Sequence, residues 1–319
     1  MNLVVHHLLF TLEAQTTVHL GPQAGAQLRG ALWAALEKFA CTDPAARSQP
    51  EHTRYCPMCR LVALETTEGG RGGTPPRPFA IRPPLTYPPE ADRYFESGQS
   101  FSVGVNLFGD AADLFPYVVQ AVWRMGEIGV GYGRGQFAVR RVQAINPLGG
   151  TAQDLFTQGR IVALPDTPID GEQVRRTAET LSPERLRLSF LTPTQITRDG
   201  GRLCPRPDFD RLIARLLERC QALEQHYTDA PTPQPVWRER YLDLTARAAE
   251  VRQVEDHTRW VELHSGSRRS GDRTSISGFV GEAVFTGDLA PFREWLLWGA
   301  SLHVGKNAVK GDGWYVLEQ

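Results

Sequence analysis

Apolar residues along this chain follow two periods, and those periods recur in the same order in each half. Residues 3–12 and 101–108 carry dense apolar runs of strand type. After the second run, Gly109 and Asp110 read as turn and N-cap, and Leu114, Val118, Val122 and Met125 share one helical face that Gly126 ends. A glycine cluster (Gly129, Gly131, Gly133, Gly135) then leads into a strand over 137–145. The second half repeats these steps. A strand over 186–190 precedes the clearest helix of the chain, in which Phe209, Leu212, Ile213, Leu216, Leu217, Cys220 and Leu223 recur at three- and four-residue spacing. Its counterpart in the first half covers 22–39. A strand over 279–285 follows, then Gly287 and Asp288, then a helical face of Leu289, Phe292, Trp295 and Leu296 that Gly299 ends. Gly305, Gly311 and Gly313 come next, and a strand over 314–317 closes the chain.

Strand, helix, strands, helix, strand is the split βαβ pattern of a ferredoxin-like domain, with helices on one face of an antiparallel sheet. The pattern therefore predicts an α+β protein of two tandem ferredoxin-like (RRM-like) domains with glycine-rich loops. Periodicity fades between Pro147 and Pro168, which places the junction there. Residues 1–160 form the first domain, with a cysteine-containing insertion, and 161–319 the second, with a glycine-rich loop. Proline marks two connections, over 68–89 and around Pro231, Pro233 and Pro235.

The length of 319 residues suits two domains, and 41% hydrophobic with 22% charged residues is ordinary globular composition. Lys plus Arg number 35 against 36 Asp plus Glu, so any nucleic-acid contact must come from local clustering. The opening MNLVVHHLLFTLE has no basic n-region, and no apolar run approaches the roughly 20 residues of a membrane span, so a cytoplasmic protein without membrane contact is expected. Five cysteines without an export signal argue for free thiols or metal ligation. Two nucleotide fingerprints fail. Arg134 stands where a dinucleotide-binding loop needs its third glycine, and Asn307 where a P-loop needs Ser or Thr.

Several segments together resemble CRISPR repeat-processing endoribonucleases of the RAMP superfamily. In the second half these are 188–194 (LSFLTPT), Ser267-Arg268-Arg269 before Gly278-Phe279-Val280-Gly281, and His303-Val304-Gly305-Lys306 through Gly311-Asp312-Gly313. In the first half, Cys56-Pro57-Met58-Cys59-Arg60-Leu61, Arg82-Pro83-Pro84-Leu85, Gly98-Gln99, Leu107-Phe108-Gly109 and the glycine cluster resemble the cysteine-containing branch of that family. The resemblance implies two ferredoxin-like domains, CRISPR repeat RNA as partner, and metal-free cleavage that leaves a 2′,3′-cyclic phosphate. It also implies RNA contact by the C-terminal glycine loop and a catalytic histidine on or after the first helix. A non-catalytic RAMP subunit that binds guide RNA beside other effector-complex subunits shares these features and is the alternative.

Metal-free cleavage needs a base for the 2′-hydroxyl proton, an acid for the leaving 5′-oxygen and positive charge at the phosphate, and histidine suits the first two. His52 lies after the first helix beside Arg54 and Tyr55, which makes His52 and Tyr55 candidate catalytic residues. His303, near Lys306, is the second candidate. Either can instead be a plain loop histidine. Cys41, Cys56 and Cys59 bring three thiols together, the last two at CxxC spacing, and His52 can complete a structural zinc site. A histidine bound to zinc is no longer free as a base, so the two roles of His52 compete. No cofactor is expected for catalysis itself. For RNA contact the candidates are Arg134, Lys306 and Lys310 in the glycine loops and Arg268, Arg269 and Arg273 in a Ser/Gly-rich stretch. Cys204 and Cys220 fit structural positions.

Overall fold

Alternation of buried and half-exposed positions on strands such as residues 5–14, and apolar stripes at three- and four-residue spacing on helices such as residues 209–227, fix the layers of this protein. The structure is a computed structural model that describes residues 1–47, 49–62, 75–266 and 273–318. The first half lays down, in order, β1 (Val5–Ala14), β2 (Val18–Leu20), α1 (Ala24–Phe39), α2 (Pro50–Tyr55), α3 (Pro57–Val62), β3 (Phe79–Arg82), β4 (Arg93–Phe95), β5 (Ser100–Phe108), α4 (Phe115–Ile128), β6 (Phe137–Asn146), β7 (Thr151–Thr157) and β8 (Arg160–Ile161). The second half continues with α5 (Gly171–Thr180), β9 (Arg185–Thr194), α6 (Phe209–Tyr227), α7 (Gln234–Ala248), β10 (Arg252–Val261), β11 (His264–Gly266), β12 (Arg273–Ser275), β13 (Gly278–Thr286), α8 (Arg293–Leu302) and β14 (Tyr315–Glu318).

Two antiparallel sheets result. The first runs β3-β5-β1-β6-β7-β8 and the second β10-β13-β9-β14. In each, the first strand lies between the third and fourth of a strand-helix-strand-strand-helix-strand set, which is the ferredoxin-like order repeated in tandem. Leu8, Phe10 and Leu12 on β1 bury against Leu28 and Leu32 of α1 and Val118 and Val122 of α4 in the first core. Leu188 and Phe190 on β9 join Leu212, Leu216 and Leu223 of α6 and Phe285 of β13 in the second. Leu3, Val5, Ala80 and Phe108 come from the first half yet pack in that second core, so the two units share apolar surface.

The differences from sequence expectation have local causes. Gly126 lies inside α4, which continues to Ile128, because a side chain there would strike the carbonyl of Phe137. Gly299 likewise lies inside α8, against the Tyr315 hydroxyl. The proline stretch 231–235 opens α7, since proline at the first turn of a helix loses no hydrogen bond. Buried Trp237 ties α7 to α6 by donating its indole N–H to Glu224 at 2.8 Å. Within 68–89, residues 79–82 form β3, a strand of four residues too short to carry a period. Between Pro147 and Pro168, β7 and β8 extend the first sheet as a hairpin.

The two units meet over buried polar side chains. His7 on β1 stands opposite Asn106 on β5, whose amide donates to the Ser301 carbonyl at 2.7 Å. Arg219 of α6 donates to the Leu302 carbonyl at 2.8 Å, and Arg82 of β3 lies over the Trp314 ring, which stacks on His303. His303 is fully buried, and its Nδ1 meets the Asp312 carbonyl at 3.2 Å. Burial, and then the charges of Arg219 and Arg82, push its pKa down to about 3.

Native His303 thus stays neutral to about pH 3, whereas the unfolded residue takes a proton below about pH 6.5. In that window the unfolded chain binds more protons, so stability is lost as pH is lowered, by at most about 1.4 kcal/mol per pH unit from this group. The carboxyl of Asp312, raised by burial, contributes in the opposite sense. His303→Gln removes the imidazole titration alone. In urea melts, the free-energy gap between wild type and His303→Gln is expected to move in favour of the variant from pH 7 to pH 4; an unchanged gap contradicts the assignment.

Candidate functional site

The chain after α1 is held by a cluster built on three short turns. Cys41 follows the last turn of α1, His52 lies in α2, Cys56 sits between α2 and α3, and Cys59 lies in α3. Asp43 accepts hydrogen bonds from the amides of Ala45 and Ala46 and so shapes the return of the chain. The result brings the Sγ atoms of Cys41, Cys56 and Cys59 and one ring nitrogen of His52 within 4.8 Å of one another. The Cys41 Sγ is 3.6 Å from His52 Nε2 and 4.0 Å from Cys59 Sγ. Ligands about 2.3 Å from a tetrahedral ion lie roughly 3.8 Å apart, so these four donors fit one metal ion. Their electrostatics agree. Burial works against ionising Cys41, but hydrogen bonds from Arg47, then from His52 and the two other thiols, lower it to about 7. Burial, and then Cys56, push the Cys59 thiol up. This is a pair of neighbouring thiols that do not both ionise readily without a cation between them.

The other residues singled out in the sequence are spread over several surfaces. Tyr55, beside the cluster, is 78% exposed, with the Arg54 guanidinium over its ring. His303 lies in the buried junction and has no exposed surface. Lys306 and Arg134 are exposed, and Arg134 holds a positive φ in the tight turn between Gly133 and Gly135. Lys310 is half-buried and donates to the Ser265 hydroxyl at 3.1 Å, and burial lowers its ammonium pKa. Arg273 is exposed on β12, paired with Gly266 of β11. Arg268 and Arg269 lie outside the described residues. Cys204 and Cys220 are buried in the second core.

The two glycine loops converge on the N-terminal end of α1. A side chain on Gly25 would run into the Lys310 carbonyl, and one on Gly311 would meet the Ile81 carbonyl and Pro83. The C-terminal loop therefore lies directly on α1 and β3. On the other side, the hairpin 129–135 adds to the β2–β4 ribbon through a bridge from Tyr132 to His19, with the Tyr132 amide donating to the His19 carbonyl at 2.8 Å.

That ribbon carries a polar and aromatic group that sequence reading missed. His19 lies opposite Tyr94 in the β2–β4 register and opposite Tyr132 across the bridge. Its ring stacks on Tyr94 at 4.2 Å and meets Tyr132 edge-on at 4.9 Å. Its Nε2 lies 2.5 Å from an Asp92 carboxylate oxygen. Buried Arg93 fixes this loop by donating to the carbonyls of Pro84, Gly21, Ala91 and Pro89. His19 and Asp92 are 73 residues apart, and neither lies in a recognisable motif.

Among the described residues no helix is long and apolar enough to cross a membrane. The AF_1859_N N-terminal domain model matches residues 3–168, more than half of the chain, and the CRISPR-associated endoribonuclease Cas6 model matches residues 188–315. No curated protein matches. Among solved structures, a Thermus thermophilus Cas6 (TTHB231) product complex is similar at TM-score 0.59 and 18% identity, over 98% of this chain and 100% of that one. A Cas6 (TTHA0078) product complex is similar at TM-score 0.52 and 18% identity, over 99% and 100% of the two chains. A partial Cas6-RT-Cas1–Cas2 complex is similar at TM-score 0.56 and 10% identity, over 99% of this chain and 46% of that one. At such identities the structural likeness shows a shared fold, in agreement with the tandem ferredoxin-like order of the two sheets. By residues 3–168 the chain belongs to the AF_1859_N family, and with the endoribonuclease model matching residues 188–315 it is a CRISPR-associated endoribonuclease of CRISPR RNA processing.

Proposed function

We propose that this protein cuts precursor CRISPR RNA within its repeats without a metal ion in the reaction. The 2′-hydroxyl attacks the adjacent phosphorus, and the products carry a 2′,3′-cyclic phosphate and a 5′-hydroxyl. The observation that carries this reading is the closed donor set of Cys41, His52, Cys56 and Cys59. Three thiolates and an imidazole fill a tetrahedral sphere, so an ion held there has no open position for water or a phosphate oxygen. Such a site suits structural zinc, which pins the segment after α1, and in it His52 is a ligand instead of a base. Tyr55, exposed beside it, then lies at the rim of a structural site.

RNA contact on this reading falls to the two glycine loops, where backbone amides approach phosphates closely and Arg134 and Lys306 supply charge. Arg273 on β12 would follow the phosphate backbone, and Arg268 and Arg269, outside the described residues, are proposed to add to the RNA contact. Lys310 joins the C-terminal loop to β11 through Ser265. The partner is a repeat transcript, and the likeness to a Cas6-RT-Cas1–Cas2 assembly supports association with other CRISPR proteins.

Purified protein is expected to contain one zinc per chain by elemental analysis. Cys59→Ser is expected to lose it and to melt roughly 5–10 °C lower, the shift that corresponds to a few kcal/mol in a protein of this size. A metal-free wild type with the same melting temperature contradicts the zinc site. With end-labelled repeat RNA and EDTA, wild type is expected to give a single cut with a 2′,3′-cyclic phosphate, and RNA with a 2′-deoxy group at that position is expected to stay whole. Salt-dependent binding without cutting contradicts the nuclease mechanism and supports a guide-RNA-binding subunit.

A further inference from the structure

We infer that the His19–Asp92 pair, with Tyr132 and Arg134 on the adjoining glycine hairpin, is the site at which the 2′-hydroxyl is activated and the 5′-oxygen released. The inference rests on the nuclease reading above and supplies its missing acid and base.

The geometry of the ribbon makes the case. β2 is the middle strand of a three-stranded patch, so His19 has a cross-strand neighbour on each side, and both are tyrosines. A carboxylate only accepts hydrogen bonds, so the short contact with Asp92 places the proton on His19 Nε2 and the free lone pair on Nδ1. Asp92 thus fixes both the tautomer and the orientation of the ring, as in other carboxylate-oriented histidine bases. Gln23 donates its amide N–H to the Tyr132 hydroxyl at 2.6 Å, which leaves the phenol free to donate its own proton. Arg134 is two residues further on, exposed at the tip of the hairpin. The group is accessible: the His19 side chain is 26% exposed, and Tyr94 and Tyr132 are 57% and 47% exposed.

The glycines explain why this surface can exist. A side chain on Gly131 would strike the His19 carbonyl, and one on Gly135 would strike the Thr17 carbonyl. Only a glycine hairpin can lie close enough to β2 to set Tyr132 beside His19. Arg93, buried and bound to four carbonyls, holds the other wall in place, so Asp92 and Tyr94 are positioned before any RNA arrives. The remaining histidines in play are engaged elsewhere, His52 in the thiol cluster and His303 in the buried junction.

The step balances. His19 Nδ1 takes the 2′-hydroxyl proton, O2′ forms its bond to phosphorus, the P–O5′ bond breaks, and the Tyr132 phenol gives its proton to O5′. Arg134 offsets the charge on the phosphoryl oxygens, and Tyr94 gives an exposed ring face for a flanking base to stack on. Solvent then returns a proton to Tyr132 and removes one from His19. His19 and Tyr132 are the catalytic residues of this scheme, and Asp92 and Arg93 are positioning residues.

The test is single-turnover cleavage of repeat RNA in EDTA, with RNA affinity measured on the same proteins. His19→Ala is expected to lose about 10²- to 10⁴-fold in rate, with affinity within about threefold of wild type. Added imidazole is expected to restore part of that rate, which a purely structural role would not allow. His19→Gln, which keeps a donor for Asp92, guards against a folding defect and is expected to be equally slow. Asp92→Asn is expected to be slower by at least roughly tenfold and to gain nothing from imidazole. Tyr132→Phe is expected to recover on RNA whose leaving 5′-oxygen is replaced by sulfur, since that group departs without a proton. Cleavage by both His19 variants within about twofold of wild type overturns this site while the nuclease reading stands. A wild type that does not cut overturns both.

Discussion

Two close approaches of backbone to backbone hold this molecule in its working shape. At Gly25 the first turn of α1 lies on the Lys310 carbonyl, and at Gly311 the C-terminal loop lies on the carbonyl of Ile81 and the ring of Pro83. Any side chain at Gly25 collides with the opposite main chain. Gly311 also holds a φ of +87°, which side-chain-bearing residues rarely adopt. The last loop of the second unit is thereby laid on the first helix and an edge strand of the first unit. Around that contact lie the buried polar groups of the junction, the β11–β12 hairpin tied in by Lys310, and the ribbon that carries His19. Gly25 and Gly311 lie where the two units meet.

This arrangement reconciles a nearly neutral chain with an RNA substrate. A net charge of −1 gives no global pull on a polyanion. Several arginines are already paired with carboxylates, among them Arg140 with Glu13, Arg141 with Asp154, Arg185 with Glu255 and Arg198 with Asp208. Arg134 and Lys306 have a different setting, exposed on the glycine loops. The zinc proposed for the thiol cluster belongs to the same economy of design. It steadies a stretch after α1 in which helices of six residues could not hold themselves.

Much of the fold was legible from periodicity because burial imposes it. The stripe of Leu212, Leu216 and Leu223 and the echo of strand, helix, glycine loop and strand in both halves correspond to real elements. Glycine was harder to read, since a helix end and a helix contact look alike in sequence: Gly126 and Gly299 are contacts, not ends. α7 hid behind three prolines, and β3 was too short to show a period. For the site, the CxxC spacing exposed the thiol cluster, and His52 followed from nearness along the chain. The His19–Asp92 pair gave no such signal, because its members are joined by strand pairing between β2 and β4 across 73 residues. His7, Arg82, Arg219 and His303 resemble surface residues in composition, and only the packing of two units shows that the histidines are buried and the arginines half-buried.

The claim on which the rest depends is that the backbone contact at Gly25 clamps the two units together. Amide hydrogen exchange on Gly25→Val tests it directly. The account predicts faster exchange across residues 303–313 and the first turns of α1, with the amides of β9 and β13 still protected by their own sheet. Protection of the C-terminal loop equal to that of wild type would contradict it.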